Sequence, residues 1–406
     1  MIIENLPQEF KKALPVINEI EEAGFEAYFV GGSVRDIMLN HQIHDVDIAT
    51  SAFPEEIKHI FKKTIDIGIE HGTVLVLFED EQYEITTFRT ESTYQDYRRP
   101  DEVTFVRSLE EDLKRRDFTM NALAMNKNGE IVDLFNGIDA INKKEIVAVG
   151  DASERFNEDA LRMMRGLRFS SQLNFTLEKE TKKAIKEHRA LLGKISIERI
   201  YIEWIKLLLG EYRNKGIAAF IETQCFNYCP GLENKKAELE RFLELDESKT
   251  IKDEETAWLL LCYLLMIEDI PALLKQWKSS NKMIQSVKVG VHQLRKRKTS
   301  DWSVDDLYQT GSEVISFVED ARNILGKSHN KAIVLSKYDE LPIKSIKDMH
   351  VNGKDIIPFL GEQPGPWLGD VLSELEEKVL HGIIVNNKEE LLKEAKAIRK
   401  RVKEND

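Results

Sequence analysis

The chain contains 406 residues, with 58 Lys and Arg against 71 Asp and Glu, and its formal net charge is −13. A hydrophobic content of 42% is ample for packed cores and excludes a wholly disordered chain. This length predicts two to four domains. No apolar run in the sequence is long enough to span a bilayer, which argues against a membrane protein.

The acidic excess is confined to the first third of the chain. Residues 1–150 contain 16 Lys and Arg against 29 Asp and Glu, whereas the remaining residues contain 42 of each. This distribution argues against indiscriminate nucleic-acid binding by the first third, although local basic patches are compatible with it.

The three cysteines are Cys225, Cys229 and Cys262, which are too few for a disulfide framework. Cys225 and Cys229 have no second pair beside them, which disfavours structural zinc. The first residues, MIIENLPQEFKK, also lack a basic start followed by an apolar stretch. We therefore expect a cytoplasmic protein.

Short strand and helix patterns alternate through residues 1–150. Residues 25–30 predict a strand that ends at Gly31 and Gly32, and residues 33–39 and 117–124 predict helices. Further strands are predicted at residues 46–49, 73–78, 83–88, 103–106 and 131–135, with the second and third of these forming a hairpin. The polar stretch 90–102 has no apolar pattern and predicts a mobile loop.

After Gly150 nearly every segment has apolar residues at spacings of three and four, which predicts helices. Examples are residues 161–169, 199–209, 257–266 and 371–380. The predicted fold class is an α/β N-terminal part, a mixed sheet with helices, followed by an all-α remainder. Domain boundaries are predicted near Gly150, Gly210 and Lys298.

The strongest local pattern is Gly31-Gly32 followed by Asp45-Val46-Asp47. Asp45 and Asp47 would share one face of a strand, and two adjacent carboxylates favour a divalent cation such as Mg²⁺. Glycines before a helix let backbone N–H groups approach phosphates, and Arg35 could donate to the same phosphates. The alternative is a surface turn beside a solvated acidic strand.

Two further segments could complete such a site. Glu84, in a strand-like run, is the candidate for a third carboxylate, although it could also be an outward-facing hairpin residue. In the segment RRDFTMNA (115–122), Arg116 could hold a triphosphate or ribose, and Asp117 and Asn121 could hold a sugar hydroxyl. A helix cap after a solvated basic run is the simpler alternative.

The segment EDALRMMR (158–165) begins the helical part. On one helix, Asp159, Arg162, Arg165 and Arg168 would follow a single i, i+3 row. The opposite face would bury Phe156, Ala160, Met163, Met164 and Leu167. Asp159 and Arg162 could form a weak intrahelical ion pair. They could instead bind the Watson–Crick edges of cytosine and adenine, because guanine and uracil present the reverse polarity.

The ordered combination of these segments resembles the class II CCA-adding enzymes, which are tRNA nucleotidyltransferases of the superfamily that includes DNA polymerase β. The segments are GGSVRD (31–36), DVD (45–47), RRDFTMNA (115–122), EDALRMMR (158–165), SIERIYIEW (196–204), the loop STYQDYRRP (92–100) and the C-terminal residues 351–372. The resemblance covers most of the chain, and the combination is far more specific than two aspartates alone.

The resemblance implies addition of C, C and A to the 3′ end of tRNA from CTP and ATP, without a nucleic-acid template and by a two-metal mechanism. It implies a head (1–150), neck (151–210), body (211–298) and tRNA-binding tail (299–406). Asp45 and Asp47 would bind Mg²⁺, and Asp159 and Arg162 would select the base. The residues that would contact the nucleotide are Gly32, Arg35, Arg116, Arg165 and Arg168.

Several alternatives stay open from the sequence. A related poly(A) polymerase or a partial CC- or A-adding enzyme would share these motifs, and a regulatory protein with an inactive head is a different class. The loop at residues 90–101 looks full length, which disfavours the CC-adding type and makes it the candidate for repositioning Arg162 between C and A addition. The sequence leaves the oligomeric state open between a monomer and a homodimer.

Because the head is acidic, positive potential for tRNA must come from elsewhere. The candidates are a run at Arg295, Lys296, Arg297 and Lys298, with Lys288 nearby, and the tail residues 395–403. Each could equally be a solvated helix face.

Overall fold

A computed structural model of the chain describes residues 1–43, 45–91, 94–95, 99–100 and 103–405. It divides into two compact units. The first comprises Met1–Thr250 with Gln276–Lys278, and the second comprises Ile251–Lys275 with Ser279–Asp406. No helix in the described part of the chain is both long and apolar enough to cross a membrane.

All described strands belong to the first unit. They are β1 (Ala27–Val30), β2 (Asp47–Thr50), β3 (Thr64–Gly68), β4 (Thr73–Phe78), β5 (Glu81–Thr87), β6 (Arg89–Glu91), β7 (Tyr94–Gln95), β8 (Arg99–Pro100), β9 (Val103–Phe105), β10 (Leu123–Met125), β11 (Ile131–Asp133), β12 (Glu145–Ile146) and β13 (Thr176–Leu177).

Helices dominate the rest of the chain. Up to Thr250 they are α1 (Gln8–Glu22), α2 (Gly32–Met38), α3 (Pro54–Ile60), α4 (Leu109–Lys114), α5 (Gly137–Lys143), α6 (Ala152–Glu158), α7 (Leu161–Leu173), α8 (Lys179–His188), α9 (Ile197–Leu208), α10 (Arg213–Thr223) and α11 (Lys236–Glu240). Those that follow are α12 (Glu254–Leu264), α13 (Ile270–Gln276), α14 (Asn281–Lys296), α15 (Val304–Ile324), α16 (Lys331–Asp339), α17 (Gly353–Leu360), α18 (Trp367–Leu380) and α19 (Lys388–Asn405).

A seven-stranded mixed sheet in the order β11-β10-β1-β2-β5-β4-β3 forms the centre of the first 150 residues. Only β2 and β5 run parallel; every other neighbouring pair is antiparallel, including the predicted β4–β5 hairpin. Val30 pairs with Asp47, and Ile48 pairs with Ile85. This register brings the end of β1, the start of β2 and the middle of β5 to one place. The predicted fold class is confirmed.

The predicted helix at residues 117–124 is wrong. Thr119–Asn121 forms a single 3₁₀ turn, and the next residues form β10, which lies between β1 and β11. Leu123, Ala124 and Met125 are all fully buried, since this strand is covered on both faces. A short apolar run of this kind has no periodicity that distinguishes a buried strand from a helix.

Part of the predicted loop at residues 90–102 forms short antiparallel strand pairs. Its first residues, Thr90 and Glu91, belong to β6, which pairs with β9, and β7 pairs with β8. Residues 92–93, 96–98 and 101–102 of the loop lie outside the described residues.

The second unit has its own helical core, and one of the predicted basic runs contributes to its packing. The Arg297 side chain is 1% exposed, and its Nη2 lies 2.6 Å from Oδ2 of Asp306. Lys296 Nζ lies 2.7 Å from the other carboxylate oxygen, and the Arg297 guanidinium stacks on Trp302. Burial alone would raise the pKa of Asp306, but these hydrogen bonds hold the pKa well below its ordinary value. Arg297 is therefore a structural residue, and it is removed from the set of side chains that could contact tRNA.

The basic tail run at residues 395–403 is also paired with acidic side chains. Within the second unit, Arg399 and Lys403 both contact Glu362, and Arg401 contacts Glu374. These ion pairs lower the net positive charge that this face presents to a nucleic acid.

Candidate active site

The turn after β1 lies directly against the first residue of β2. Gly31 has φ of 70°, which favours glycine, and a Cβ there would lie 3.0 Å from Nη1 of Arg116 and 3.9 Å from Oδ2 of Asp47. A Cβ on Gly32 would make only an ordinary contact with Arg35, at 3.6 Å. Gly31 is thus the position that needs glycine, whereas Gly32 is the glycine predicted from the sequence to contact the nucleotide.

The three predicted carboxylates, Asp45, Asp47 and Glu84, all line one small cavity, but Asp45 lies outside the strand that contains Asp47. Asp47 begins β2, but Asp45 precedes it, because ladder pairing starts where Val30 meets Asp47. The prediction that both aspartates lie on the strand is therefore wrong for Asp45. Glu84 is an exposed residue of β5, beside the Ile48–Ile85 pair.

Electrostatics link these three acids. Burial raises the pKa of Asp47, and the charges of Glu84 and Asp45 raise it further, while Arg116 opposes them. Among the described residues, no three His, Cys, Asp or Glu side chains are grouped so that they could hold a metal ion by themselves. Mg²⁺ is commonly bound by one or two carboxylates together with substrate phosphates and water. Asp45 and Asp47, whose negative charge Arg116 offsets only in part, fit that requirement.

Arg115 and Arg116 are oriented by one buried acid that the sequence analysis missed. Asp112 is 1% exposed; its Oδ1 accepts from Nε of Arg115 at 2.9 Å and its Oδ2 from Nη2 of Arg116 at 3.1 Å. Burial alone would raise the pKa of Asp112, but the two arginines lower it below its ordinary value. The spacing of three and four residues in the sequence could have indicated this pairing.

Asn121 connects Arg35 of the GGSVRD segment with Arg116 of the RRDFTMNA segment. Its Oδ1 accepts from Nη1 of Arg35 at 2.6 Å, and its backbone oxygen accepts from Nη1 of Arg116 at 3.3 Å. Its Nδ2 donates to Oδ1 of Asp117 at 3.0 Å. Asn121 and Asp117, predicted to hold a sugar hydroxyl, therefore also fix arginine side chains in this structure.

Asp117 anchors Arg165 across a long sequence separation. Its buried Oδ2 accepts from Nε of Arg165 at 2.7 Å. Burial would raise its pKa, but the Arg165 charge and hydrogen bonds from Asn121, Arg165 and Phe118 N lower it to about 2.

We expect this pairing to contribute stability above about pH 4, since a depressed folded-state pKa adds stability that is lost as the pH falls from the ordinary value of 3.8 to about 2. Asp117→Asn should lower the free energy of unfolding at pH 7 by about 2 kcal/mol. The difference from wild type should shrink towards pH 2, as measured by urea unfolding at several pH values. The exposed Asp139→Asn is the control; a pH-independent Asp117→Asn effect would contradict the linkage.

The predicted single helix containing Asp159 and Arg162 is broken. Helix α6 ends at Glu158, Asp159 has extended dihedral angles (φ −137°, ψ 102°), and α7 begins at Leu161. Asp159 therefore lies outside the i, i+3 row of the helix. Its Oδ1 instead accepts a hydrogen bond from Leu161 N at 3.0 Å, at the start of α7. The predicted burial is confirmed for all five apolar residues named above, although Phe156 lies on α6 and Ala160 immediately precedes α7.

The partners of Asp159 and Arg162 come from several elements. Asp159 Oδ2 accepts from Nη2 of Arg199 at 2.6 Å. Arg162 donates through Nη1 to Oε2 of Glu158 at 2.6 Å and through Nη2 to the backbone oxygen of Arg115 at 2.8 Å. Arg199, on α9 in the SIERIYIEW segment, was not assigned a role from the sequence.

One cavity of about 1020 Å³ unites most of the predicted residues, and this size matches the upper end of small-molecule sites, about 300–1,000 Å³. The predicted site residues that line it are Gly32, Arg35, Asp45, Asp47, Arg116, Asp117, Asn121, Asp159, Arg162, Arg165 and Arg168. Glu84 lines an adjacent cavity of about 440 Å³, which also includes Asp45 and Asp47.

Arg168, which also lines the large cavity, is buried. Its Nε lies 3.0 Å from Oε2 of Glu203, in an ion pair rather than a well-aligned hydrogen bond. Burial lowers its pKa to about 10, so that it keeps its charge at neutral pH. A cavity that is lined by Asp45 and Asp47 together with many guanidinium groups suits an anionic ligand whose reacting atom lies near these two acids.

Family models match three parts of the chain. Residues 27–147 match "Poly A polymerase head domain", residues 174–236 match "Probable RNA and SrmB- binding site of polymerase A", and residues 249–395 match domain 2 of tRNA nucleotidyltransferases.

Full-length relatives are more specific. The CCA-adding enzyme of Enterococcus faecalis is 54% identical over 98% of both chains, and that of Ligilactobacillus salivarius is 52% identical over 98% of this chain and 99% of the relative. The crystal structure of Bacillus stearothermophilus CCA-adding enzyme in complex with CTP has a TM-score of 0.90 and 39% identity, and it covers 99% of this chain and 100% of that one. The chain belongs to the family of bacterial CCA-adding enzymes, the tRNA nucleotidyltransferases.

Proposed function

We propose that this enzyme adds C, C and A to the 3′ end of tRNA, using CTP and ATP and releasing pyrophosphate. The observation that carries the proposal is one cavity that is lined by Asp45 and Asp47, by Arg35 and Arg116, and by the pair Asp159 and Arg162. In the reaction, the 3′-hydroxyl of tRNA attacks the α-phosphate of the bound nucleotide. No covalent enzyme intermediate is needed.

The guanidinium groups bind and orient the nucleotide. Arg35 and Arg116, held by Asn121 and Asp112, are placed to donate to the triphosphate beside the Gly31 turn. Because these side chains are held before the nucleotide arrives, less conformational entropy is lost on binding. Arg165 and Arg168 extend the same positive wall.

Asp159 and Arg162 select the base. Two of the roughly four acceptor positions of the Asp159 carboxylate are used by Leu161 N and Arg199, which leaves room for the amino group of cytosine or adenine. Arg162 would donate to the neighbouring ring acceptor. Guanine and uracil present a donor where Arg162 donates, so that a buried polar group would stay unpaired.

Nucleotidyltransferases of this superfamily use divalent metal ions. We assign Mg²⁺ here, with Asp45 and Asp47 as its protein ligands, because hard oxygen donors suit it. When bound, the metal would lower the pKa of the attacking hydroxyl and neutralise charge on the leaving pyrophosphate. Glu84 would act as the third catalytic carboxylate, supported by its electrostatic effect on Asp47.

We assign tRNA binding to the helical regions that follow residue 150. We place the enzyme in the cytoplasm. We retain the division into head (1–150), neck (151–210), body (211–298) and tRNA-binding tail (299–406) as part of the proposal. Because Arg297 is buried and paired, Arg295 and Lys298 are the better candidates for nucleic-acid contacts in the basic run.

Incubation with tRNA that lacks its 3′ terminus tests the function. CTP alone should extend the product by two nucleotides, and CTP with ATP should extend it by three, as resolved on a sequencing gel. A long A tract would identify a poly(A) polymerase, and a product that stops after C addition would identify a CC-adding enzyme. Extension only of a tRNA that already ends in CC would identify an A-adding enzyme, and no extension of either tRNA would identify an inactive head. Light scattering of the same sample distinguishes a monomer of 46.9 kDa from a homodimer.

The loop at residues 90–101 should be needed for A addition only. One pocket must accept cytosine twice and then the larger adenine, so that Arg162 must change position between these steps. Deleting residues 93–96 should leave both C additions nearly intact and stall the product at CC, even with excess ATP. Normal A addition by the deletion variant would exclude the loop from the switch, and loss of C addition would indicate a general role in folding or binding.

A further inference from the structure

Three guanidinium groups of the nucleotide cavity surround the ring of one phenylalanine. The Cζ atoms of Arg168, Arg35 and Arg165 lie 4.2, 5.3 and 5.5 Å from the ring centroid of Phe169. A cation within about 6 Å of an aromatic ring can be attracted by the negative face of its π system. Phe169 is 5% exposed and lines the same cavity, and no sequence pattern singled it out.

The ring joins two elements that are distant in the sequence. Arg35 lies on α2, next to the Gly31 turn, whereas Arg165 and Arg168 lie on α7 with Phe169 itself. The Phe169 ring packs edge-to-face on Phe118, at 6.0 Å and 89°. Phe118 is fully buried, so the position of the Phe169 ring is set by the core rather than by solvent.

Three like charges so close together repel one another, and the acids only partly offset this. Each guanidinium has one carboxylate contact, in the pairs Arg35–Asp36 at 2.8 Å, Arg165–Asp117 at 2.7 Å and Arg168–Glu203 at 3.0 Å. Asp36 lies on α2, Asp117 in the segment after α4 and Glu203 on α9, whereas the Phe169 ring is close to all three guanidiniums. An aliphatic side chain of similar size would fill the space but would lack the π system.

We propose that Phe169 is a positioning residue, which uses cation–π attraction to hold Arg35, Arg165 and Arg168 ready for the polyphosphate of the incoming nucleotide. This inference rests on the proposed nucleotide site. Because CTP and ATP share the polyphosphate, loss of the ring's attraction should weaken both nucleotides equally. Base selection should not change, since Asp159 and Arg162 contact different atoms.

Fluorination of the ring separates attraction from packing. We would incorporate 4-fluoro-, 3,5-difluoro- and 3,4,5-trifluorophenylalanine at position 169, because added fluorines withdraw electron density from the ring with little change in shape. The KM for CTP and ATP should rise in steps, to about tenfold in total, with kcat changed much less. Calorimetric titration of CTP without divalent metal should show the same graded rise in Kd. The same series at the buried Phe175, whose ring has no cation contact among the described residues, should leave KM unchanged.

Each outcome decides between the ring's electronic and packing roles. A flat fluorine series, beside a raised KM in Phe169→Leu, would overturn the proposal by showing that the ring only fills space. Equal effects at Phe169 and Phe175 would also overturn it. Because the fluorinated rings keep the packing, the series remains decisive if Phe169→Leu does not fold. A wild-type chain that adds neither C nor A would instead refute the proposed function.

Discussion

Asp45→Ala and Asp47→Ala should each abolish C and A addition together, with rates lowered by at least about 10³-fold. In the proposed mechanism both steps depend on the same two carboxylates, which line one cavity, so neither addition should be spared. Folding should survive, since removing one of several neighbouring negative charges relieves repulsion in the metal-free protein. The measurement is single-turnover extension of tRNA with CTP, and of tRNA ending in CC with ATP.

The matched control for these variants is Asp80→Ala, which removes an exposed carboxylate from the β4–β5 turn of the same sheet. It should keep wild-type rates. Circular dichroism and thermal unfolding verify that the inactive variants are folded. Near-normal turnover by a folded Asp45→Ala, Asp47→Ala double variant would refute the site. We expect Glu84→Ala to be less damaging than either aspartate change, because Glu84 lines only the adjacent cavity.

Replacing Asp159 or Arg162 by Ala should change which nucleotide is added rather than abolish the chemistry. In the proposed mechanism Asp45 and Asp47 would remain in place for the chemistry, but the base edge would lose one hydrogen-bond partner, which costs about 1–3 kcal/mol for a buried group. CTP and ATP should therefore lose about 5- to 150-fold in kcat/KM, while UTP and GTP lose less or gain. Competition between the four nucleotides on one tRNA measures the ratio.

A change at Arg199, which contacts Asp159, provides a second test of base selection. Arg199→Ala removes the charged partner of Asp159 without touching the pair itself, and should relax base choice by a smaller factor. Arg199→Lys should restore part of it, since the positive charge returns without the fork geometry. Lys183→Ala, an exposed change on α8, is the control. Equal losses for all four nucleotides would mean that Asp159 and Arg162 are structural.

Local patterns predicted the secondary structure wherever periodicity was clear. The β4–β5 hairpin and the buried face of α7 agree with the structure, because alternation and three–four spacing depend only on residues near one another in the chain. Failures occurred where the period was ambiguous or a helix was interrupted. The apolar residues of β10 were read as a helix, and Asp159 was assigned to a helix that ends one residue before it.

The sequence by itself determined the fold class, through its hydrophobic patterns. It also determined the residue types of the site and their order, since glycines, acids and arginines at these spacings suit few other chemistries. Only the tertiary structure decided which side chains contact and orient the arginines and acids of the site. Arg35 meets Asn121 across 86 positions, Arg199 meets Asp159 across 40, and Phe169 gathers arginines from two elements. Such contacts depend on strand order and helix packing, which no local spacing encodes. Burial likewise separated Arg297, a core residue, from its exposed neighbours in one basic run, because charge patterning alone does not show which cations lie inside.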